Sequence, residues 1–149
     1  MKTVAIIQAR MGSTRFPNKV MRAICGTPMI GLLLARLKNS KLVDQIILAT
    51  SEDPRNDPLA KYVRDLEYTV FRGSEDDVLD RYYRAAKEAK ADLVVRITGD
   101  CPLIDWKIID NMIQYHLDKK LDYTSTSLKF PDGLDAEVMT MKALTKTKY

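Results

Sequence analysis

The chain has 149 residues, 46% hydrophobic and 30% charged, with a formal net charge of +4. That balance fits a single globular domain and excludes a disordered or low-complexity chain. No apolar run approaches the roughly 20 residues of a membrane span, and the start at Met1–Val4 lacks a signal peptide's apolar core. A cytoplasmic protein without a membrane partner is therefore expected. The basic residues are spread among acids along the chain, which argues against nucleic acid as a partner. Cys25 and Cys101 lack disulfide or metal-ligand spacing and are expected as buried, inert thiols.

In chain order, Thr3–Ile7 is continuously apolar and β-branched, the pattern of a fully buried strand. Pro28–Lys38 carries Met29, Ile30, Leu33, Leu34 and Leu37 on one helical stripe, with Thr27 as N-cap and Pro28 at the first helical position. A second strand runs over Gln45–Thr50. Asp57-Pro58 then opens a short helix ending near Asp65. Tyr68–Phe71 is a third strand. Ser74 is expected to cap a helix with Glu75, Asp76 and Asp77 in its first turn and Val78, Tyr82, Ala86 and Ala89 buried. A fourth strand, Asp92–Ile97, precedes a helix starting at Asp105 and carrying Ile108, Ile109, Met112 and Ile113. Asp122–Ser125 and Leu134–Met139 read as fifth and sixth strands. The βαβα order predicts an α/β fold, a three-layer sandwich around a mainly parallel, Rossmann-like sheet. Residues 1–149 form one nucleotide-binding domain, expected to be the N-terminal part of a longer chain.

The loop Gln8–Lys19 follows the first strand directly, where open α/β sheets hold ligands. Gly12, Ser13 and Thr14 permit a tight turn whose N–H groups face an anion. Arg10, Arg15 and Lys19 add a guanidinium fork, a second fork and a mobile point charge. The loop is neither a Walker A sequence nor G-x-G-x-x-G. Its run Ala9-Arg10-Met11-Gly12-Ser13-Thr14-Arg15-Phe16-Pro17-Asn18-Lys19, with Phe71–Tyr82 further on, resembles the cytidylyltransferases that make CMP-activated sugars. The wording is most similar to the spore coat polysaccharide biosynthesis SpsF-type branch, and the likeness extends over essentially the whole chain. The resemblance implies the nucleotide-diphospho-sugar transferase type of fold. It also implies that Arg10, Ser13, Arg15 and Lys19 hold the triphosphate of CTP, with backbone contacts from Ala9 and Gly12.

Gly99-Asp100-Cys101-Pro102 closes the fourth strand. Asp100 reads either as a turn residue bonding its own backbone or as a carboxylate for a hard cation such as Mg²⁺, which takes one or two carboxylates plus phosphates. In a 3-2-1-4 sheet the first and fourth strands share one crevice with the phosphate loop. The resemblance makes Asp100 a metal ligand and puts a second ligand beyond Tyr149. It also matches Pro131–Val138 to a G-x-D-x-E stretch. There Asp135 and Glu137 would face one side of a strand and contact sugar hydroxyls, or else be two exposed acids on an edge. Arg72 is in the region of a base-contacting arginine, although a surface ion pair accounts for it as well. His116, late in a helix, supports no triad, and Glu75–Asp77 reads as helix-dipole complement.

The resulting expectation is a nucleotidyltransferase moving CMP from CTP to a sugar, an acidic 2-keto sugar by resemblance, in surface or spore coat polysaccharide synthesis. Arg10, Lys19 and Asp100 would carry catalysis with Mg²⁺. A homodimer is compatible with this reading. A sugar-1-phosphate nucleotidyltransferase, a glycosyltransferase of the same fold and a non-catalytic nucleotide-binding module remain alternatives.

Overall fold

The computed structural model describes residues 1–12, 16–126 and 130–148. Strand β1 (Thr3–Gln8) is buried along most of its length. Val4 and Ile6 pack into one apolar cluster, and Ala5 and Ile7 into another on the opposite face. A continuous β-branched run does this because it must satisfy two helical layers at once.

The chain next forms a small hairpin, β2 (Ala23–Ile24) against β3 (Thr27–Pro28). Its two-residue turn has positive φ at Cys25 (50°) and Gly26 (84°), the backbone that lets short hairpins follow the natural strand twist. The expectation of a buried Cys25 is thereby corrected: the thiol is exposed at the turn, while Cys101 is buried. Helix α1 (Met29–Leu37) starts one residue later than the sequence suggests. Thr27 is committed to the hairpin, and the N–H of Met29 donates to the carbonyl of Arg22 instead, at 2.8 Å.

Then follow β4 (Gln45–Ser51), α2 (Asp57–Asp65), β5 (Thr69–Gly73), α3 (Val78–Glu88), β6 (Leu93–Thr98), α4 (Trp106–Asp118), β7 (Tyr123–Ser125), β8 (Glu137–Thr140) and α5 (Met141–Lys148). Among the described residues, one six-stranded sheet runs β5-β4-β1-β6-β8-β7. Its first four strands are parallel and in the predicted 3-2-1-4 order, and β8 joins antiparallel to both β6 and β7. Leu33 and Leu34 of α1, Val63 of α2 and Ile109 of α4 cover one face; Tyr82 and Ala86 of α3 and Leu144 of α5 cover the other. This is the three-layer, mainly parallel Rossmann-like sandwich. No helix is long and apolar enough to cross a membrane, among the described residues.

Two local expectations differ. Asp77, not Ser74, caps α3, its carboxylate accepting from the N–H of Asp80 at 2.8 Å, so Glu75–Asp77 precede the helix and are not its first turn. The last strand begins at Glu137, not Leu134, because Gly133 (φ 90°) ends a turn that Asp135 stabilises by accepting its N–H at 3.1 Å.

The loops after β1 and β6 touch through their backbones. The N–H of Gly99 donates to the carbonyl of Gln8 at 2.7 Å. A Cβ at Gly99 would lie 2.6 Å from Cβ of Ala9 and 2.8 Å from the Gln8 oxygen. Neither neighbour is a flexible side-chain tip, so Gly99→Ala must push the two loops apart. Overpacking of this kind costs about 1–3 kcal/mol. The urea midpoint of Gly99→Ala should fall accordingly, and an unchanged midpoint would mean that the loops separate freely.

Candidate active site

The order of strands reverses at β1, flanked by β4 and β6, so the crevice beyond their carboxyl ends is the expected ligand position. Among the described residues, four loops meet there, those after β1, β4, β5 and β6. The loop after β1 is pinned by Asn56, a side chain only 2% exposed. Its carbonyl oxygen accepts the N–H of Met11 at 2.8 Å, and its amide donates to the Ser51 hydroxyl at 2.6 Å. Further on, Asn18 adopts φ 58°, a left-handed backbone that asparagine tolerates. Its N–H returns to the carbonyl of Met11 at 3.1 Å. Lys19 then opens a 3₁₀ turn anchored by buried Val20, which presents the lysine from a fixed base.

Among the described residues, Arg10, Lys19 and Arg55 of the crevice each hold a carboxylate. Nη1 of Arg10 donates to Oε1 of Glu75 at 3.0 Å, and Nζ of Lys19 to Oδ2 of Asp100 at 3.2 Å. Arg55, in the loop after β4, grips Asp53 through Nε and Nη2 at 2.7 to 3.0 Å. Its guanidinium lies against Gly12, where an added Cβ would come within 3.6 Å of Nη1. The Arg55 contact holds the Asp53 carboxyl down at about 2. The Ser51 hydroxyl lowers Glu75, which burial opposes and Arg10 reinforces. At Asp100 partial burial pushes the carboxyl up, but hydrogen bonds from Thr98 and Lys19 outweigh it and leave it below the ordinary range. These three acids are anionic at neutral pH.

Of the residues singled out by sequence, Ala9, Arg10, Gly12, Lys19 and Asp100 share this crevice; Ser13 and Arg15 lie outside the described residues. Arg72 is near it but occupied: Nε donates to the Ser51 carbonyl at 2.6 Å, Nη2 to the Asp53 carbonyl at 3.0 Å and Nη1 to Asp57 at 2.8 Å. It braces the loop that carries Arg55 and Asn56. Asp135 and Glu137 lie across β6, lining a polar cavity of about 230 Å³ with Arg96, Thr98, Tyr123 and Ser125. Thr98 connects that cavity to Asp100, to which its hydroxyl bonds. A larger cavity of about 420 Å³ between α3 and α5 is lined mostly by Val78, Leu79, Val94, Met139 and Leu144. Arg10, Lys19 and Arg55 do not line it.

Sequence reading missed Asn56, Arg55, Glu75's pairing with Arg10, and Arg81. Arg81 is 1% exposed beneath the Ser74–Asp77 turn and donates to the carbonyls of Ser74 and Glu75. The available signal was Asp53-Pro54-Arg55-Asn56 directly after β4, next to β1 in a 3-2-1-4 sheet. His116 makes no approach to the crevice: it is buried late in α4, bonded to the Thr124 hydroxyl at 2.9 Å.

A Cytidylyltransferase family model matches residues 4–148. The chain belongs to the cytidylyltransferase family. It is 44% identical over 146 residues, 98% of this chain, to an uncharacterized protein of Methanocaldococcus jannaschii. To the spore coat polysaccharide biosynthesis protein SpsF of Bacillus subtilis it is 38% identical over 143 residues, 93% of this chain. A solved cytidylyltransferase structure from Leptospira borgpetersenii superposes with a TM-score of 0.95 at 38% identity, covering 99% of this chain and 64% of that one. The chain spans 60% and 59% of the lengths of the two curated relatives. Within the cytidylyltransferase family assignment, the crevice between β1 and β6 is the region where sequence motif and fold agree.

The pairing of Glu75 has a pH signature. A carboxyl whose folded pKa is depressed stabilises the fold above its unfolded value, about 4.3, and that contribution is lost as pH falls through the folded pKa. The urea-midpoint difference between wild type and Glu75→Gln should be present at neutral pH and shrink progressively below about pH 4.3. A difference independent of pH would mean that the Glu75 charge contributes nothing.

Proposed function

We propose that this domain binds CTP in the β1–β6 crevice and transfers its CMP unit to a hydroxyl of a sugar, with release of pyrophosphate. The proposed acceptor is a 2-keto sugar acid, activated for surface polysaccharide synthesis. The observation that carries the proposal is the meeting of the Gln8–Lys19 loop with the Asp100 turn at the switch point of a cytidylyltransferase-family fold.

The assigned roles follow from charge. In-line attack by the sugar oxygen on the α-phosphorus forms one P–O bond as the bond to the β-phosphate oxygen breaks, and negative charge builds on the departing pyrophosphate. Such a step needs positioning and electrostatic stabilisation more than covalent help from the protein. Arg10 and Lys19 supply the positive charge, and a backbone contact is left to Gly12, because the N–H of Ala9 already donates to the carbonyl of Ala49 at 3.4 Å. Glu75 and Asp100, the present partners of the two cations, are partly exposed. Exposed pairs of this kind are worth about 0.2–1 kcal/mol, so a polyanion can displace them at little cost. Arg55, lying against Gly12, adds a cation to the same rim.

Asp100 suits Mg²⁺, since its carboxyl is held ionised and lies beside a phosphate-binding loop. No group of three or more metal-ligating side chains occurs among the described residues. A single carboxylate is nonetheless the donor set Mg²⁺ accepts when substrate phosphates complete its shell. When bound, the ion would neutralise phosphate charge. Lys19, now on Asp100, would then be released toward the phosphates.

Calorimetry with CTP, UTP, ATP and GTP, each with and without Mg²⁺, tests the proposal. CTP should bind best, and Mg²⁺ should strengthen it. In Asp100→Asn the Mg²⁺-dependent increment should shrink while metal-free affinity holds or rises. Equal affinity for all four nucleotides removes the cytidine assignment, and an intact increment in Asp100→Asn removes the metal assignment.

A further inference from the structure

Arg96 is the unexpected residue of the sheet. It occupies β6 on the face covered by α3, two positions after fully buried Val94, where a structural residue would be apolar. Burial disfavours its charge, and Glu137 and Tyr82 compensate. Nη1 donates to Oε2 of Glu137 at 2.5 Å across the β6–β8 register, and Oε1 of Glu137 accepts from the Tyr123 hydroxyl at 2.9 Å. The guanidinium stands over the Tyr82 ring at 5.4 Å. Replacing a half-buried ion pair by apolar side chains is often neutral or stabilising, so stability alone does not account for this one.

The fork is held yet not used up. Among the described residues its one carboxylate partner is Glu137, through Nη1, which leaves donors on Nε and Nη2 free of any acid. The side chain is 37% exposed and lies on the wall between the polar cavity of about 230 Å³ and the apolar one of about 420 Å³, lining both. Among the described residues lining the polar cavity, Arg96 is the sole cation. Thr98, Ser125, Thr126 and Asp135 offer partners for sugar hydroxyls, Ala136 is apolar, and Tyr123 and Glu137 are the residues that brace Arg96. The volume of the polar cavity is below the usual range for drug-sized ligands and suits a single sugar ring. Thr98, on the cavity wall, hydrogen-bonds to Asp100 of the crevice.

We propose that Arg96, braced by Glu137 and Tyr123, binds the carboxylate of the acceptor and so fixes its attacking hydroxyl toward the crevice at Asp100. The proposal rests on the reading that the acceptor is a 2-keto sugar acid. In the ring form of such a sugar the anomeric carbon carries both the carboxylate and the nucleophilic hydroxyl, so gripping one orients the other. An arginine fork matches a carboxylate in two-point fashion, and a neutral ester offers no charge to it. Specificity for an acid over its ester is therefore a property of this one side chain.

The test uses 3-deoxy-D-manno-octulosonate and its methyl ester as probes, titrated by calorimetry into the chain in the presence of CTP and Mg²⁺. The acid should bind about tenfold to a hundredfold better than the ester, and Arg96→Gln should abolish that ratio. Arg96→Lys, which keeps the charge and loses the fork, should reduce it. CTP affinity of each variant, measured separately, reports that the protein is folded. Equal binding of acid and ester by wild type, binding of neither, or an undiminished ratio in both variants would overturn the proposal. Failure of wild type to bind CTP would sink the nucleotidyl-transfer reading instead, because the acid–ester comparison can also be made without nucleotide.

Discussion

The architecture of the site depends on one backbone contact, the 2.7 Å hydrogen bond from the N–H of Gly99 to the carbonyl of Gln8. Parallel pairing aligns β1 and β6 through Gln8 and Thr98, the last residues of each strand. The Gly99 bond is the last rung of that ladder. Glycine at position 99 lets the turn that follows lie over Ala9, at a separation that leaves no room for a side chain. The consequence is that Asp100 and Lys19, 81 residues apart, come within 3.2 Å. A carboxylate and the end of a cationic loop are thus brought to one crevice by strand register together with the loop's own anchors at Asn56 and Val20.

Among the described residues, the crevice is charged and its charges are paired. Arg10, Lys19 and Arg55 face Glu75, Asp100 and Asp53 in three pairs. Pairing keeps the cations ordered without a ligand and keeps them from drawing indiscriminate anions. A multiply charged ligand can break the Arg10 and Lys19 pairs at once, because both are partly exposed and cheap to exchange. Behind them the supports are buried: the Asn56 amide against Met11 and Ser51, and the Arg81 guanidinium against the turn that bears Glu75. The division between rigid buried supports and exchangeable surface charges is what a nucleotide site requires.

The sheet was legible because its strands are long, β-branched and bounded by turns. The loop after β1 was legible because a motif and a topological rule agreed on it. What escaped reading depended on contacts distant in sequence. Asn56 looks like any polar residue before a helix until the β1 loop is laid against it. Arg96 lies inside an apolar strand pattern, Leu93–Ile97, that predicts a strand whatever occupies the fourth position. Its meaning appears once β8 brings Glu137 opposite. The β2–β3 hairpin was missed because Cys-Gly is a weak turn signal and each strand has two residues. The Ser74 assignment failed because an acid three residues on, Asp77, competes for the same capping geometry.

The central claim is that triphosphate binds where the β1 and β6 loops meet. Backbone amide chemical shifts, followed by NMR as CTP and Mg²⁺ are added, test it most directly. The account predicts that the largest changes fall on Arg10–Gly12 and Gly99–Cys101, with smaller ones at Arg55 and Asn56. Changes concentrated instead around the apolar cavity at Val94, Met139 and Leu144, with the two loops unmoved, would contradict it.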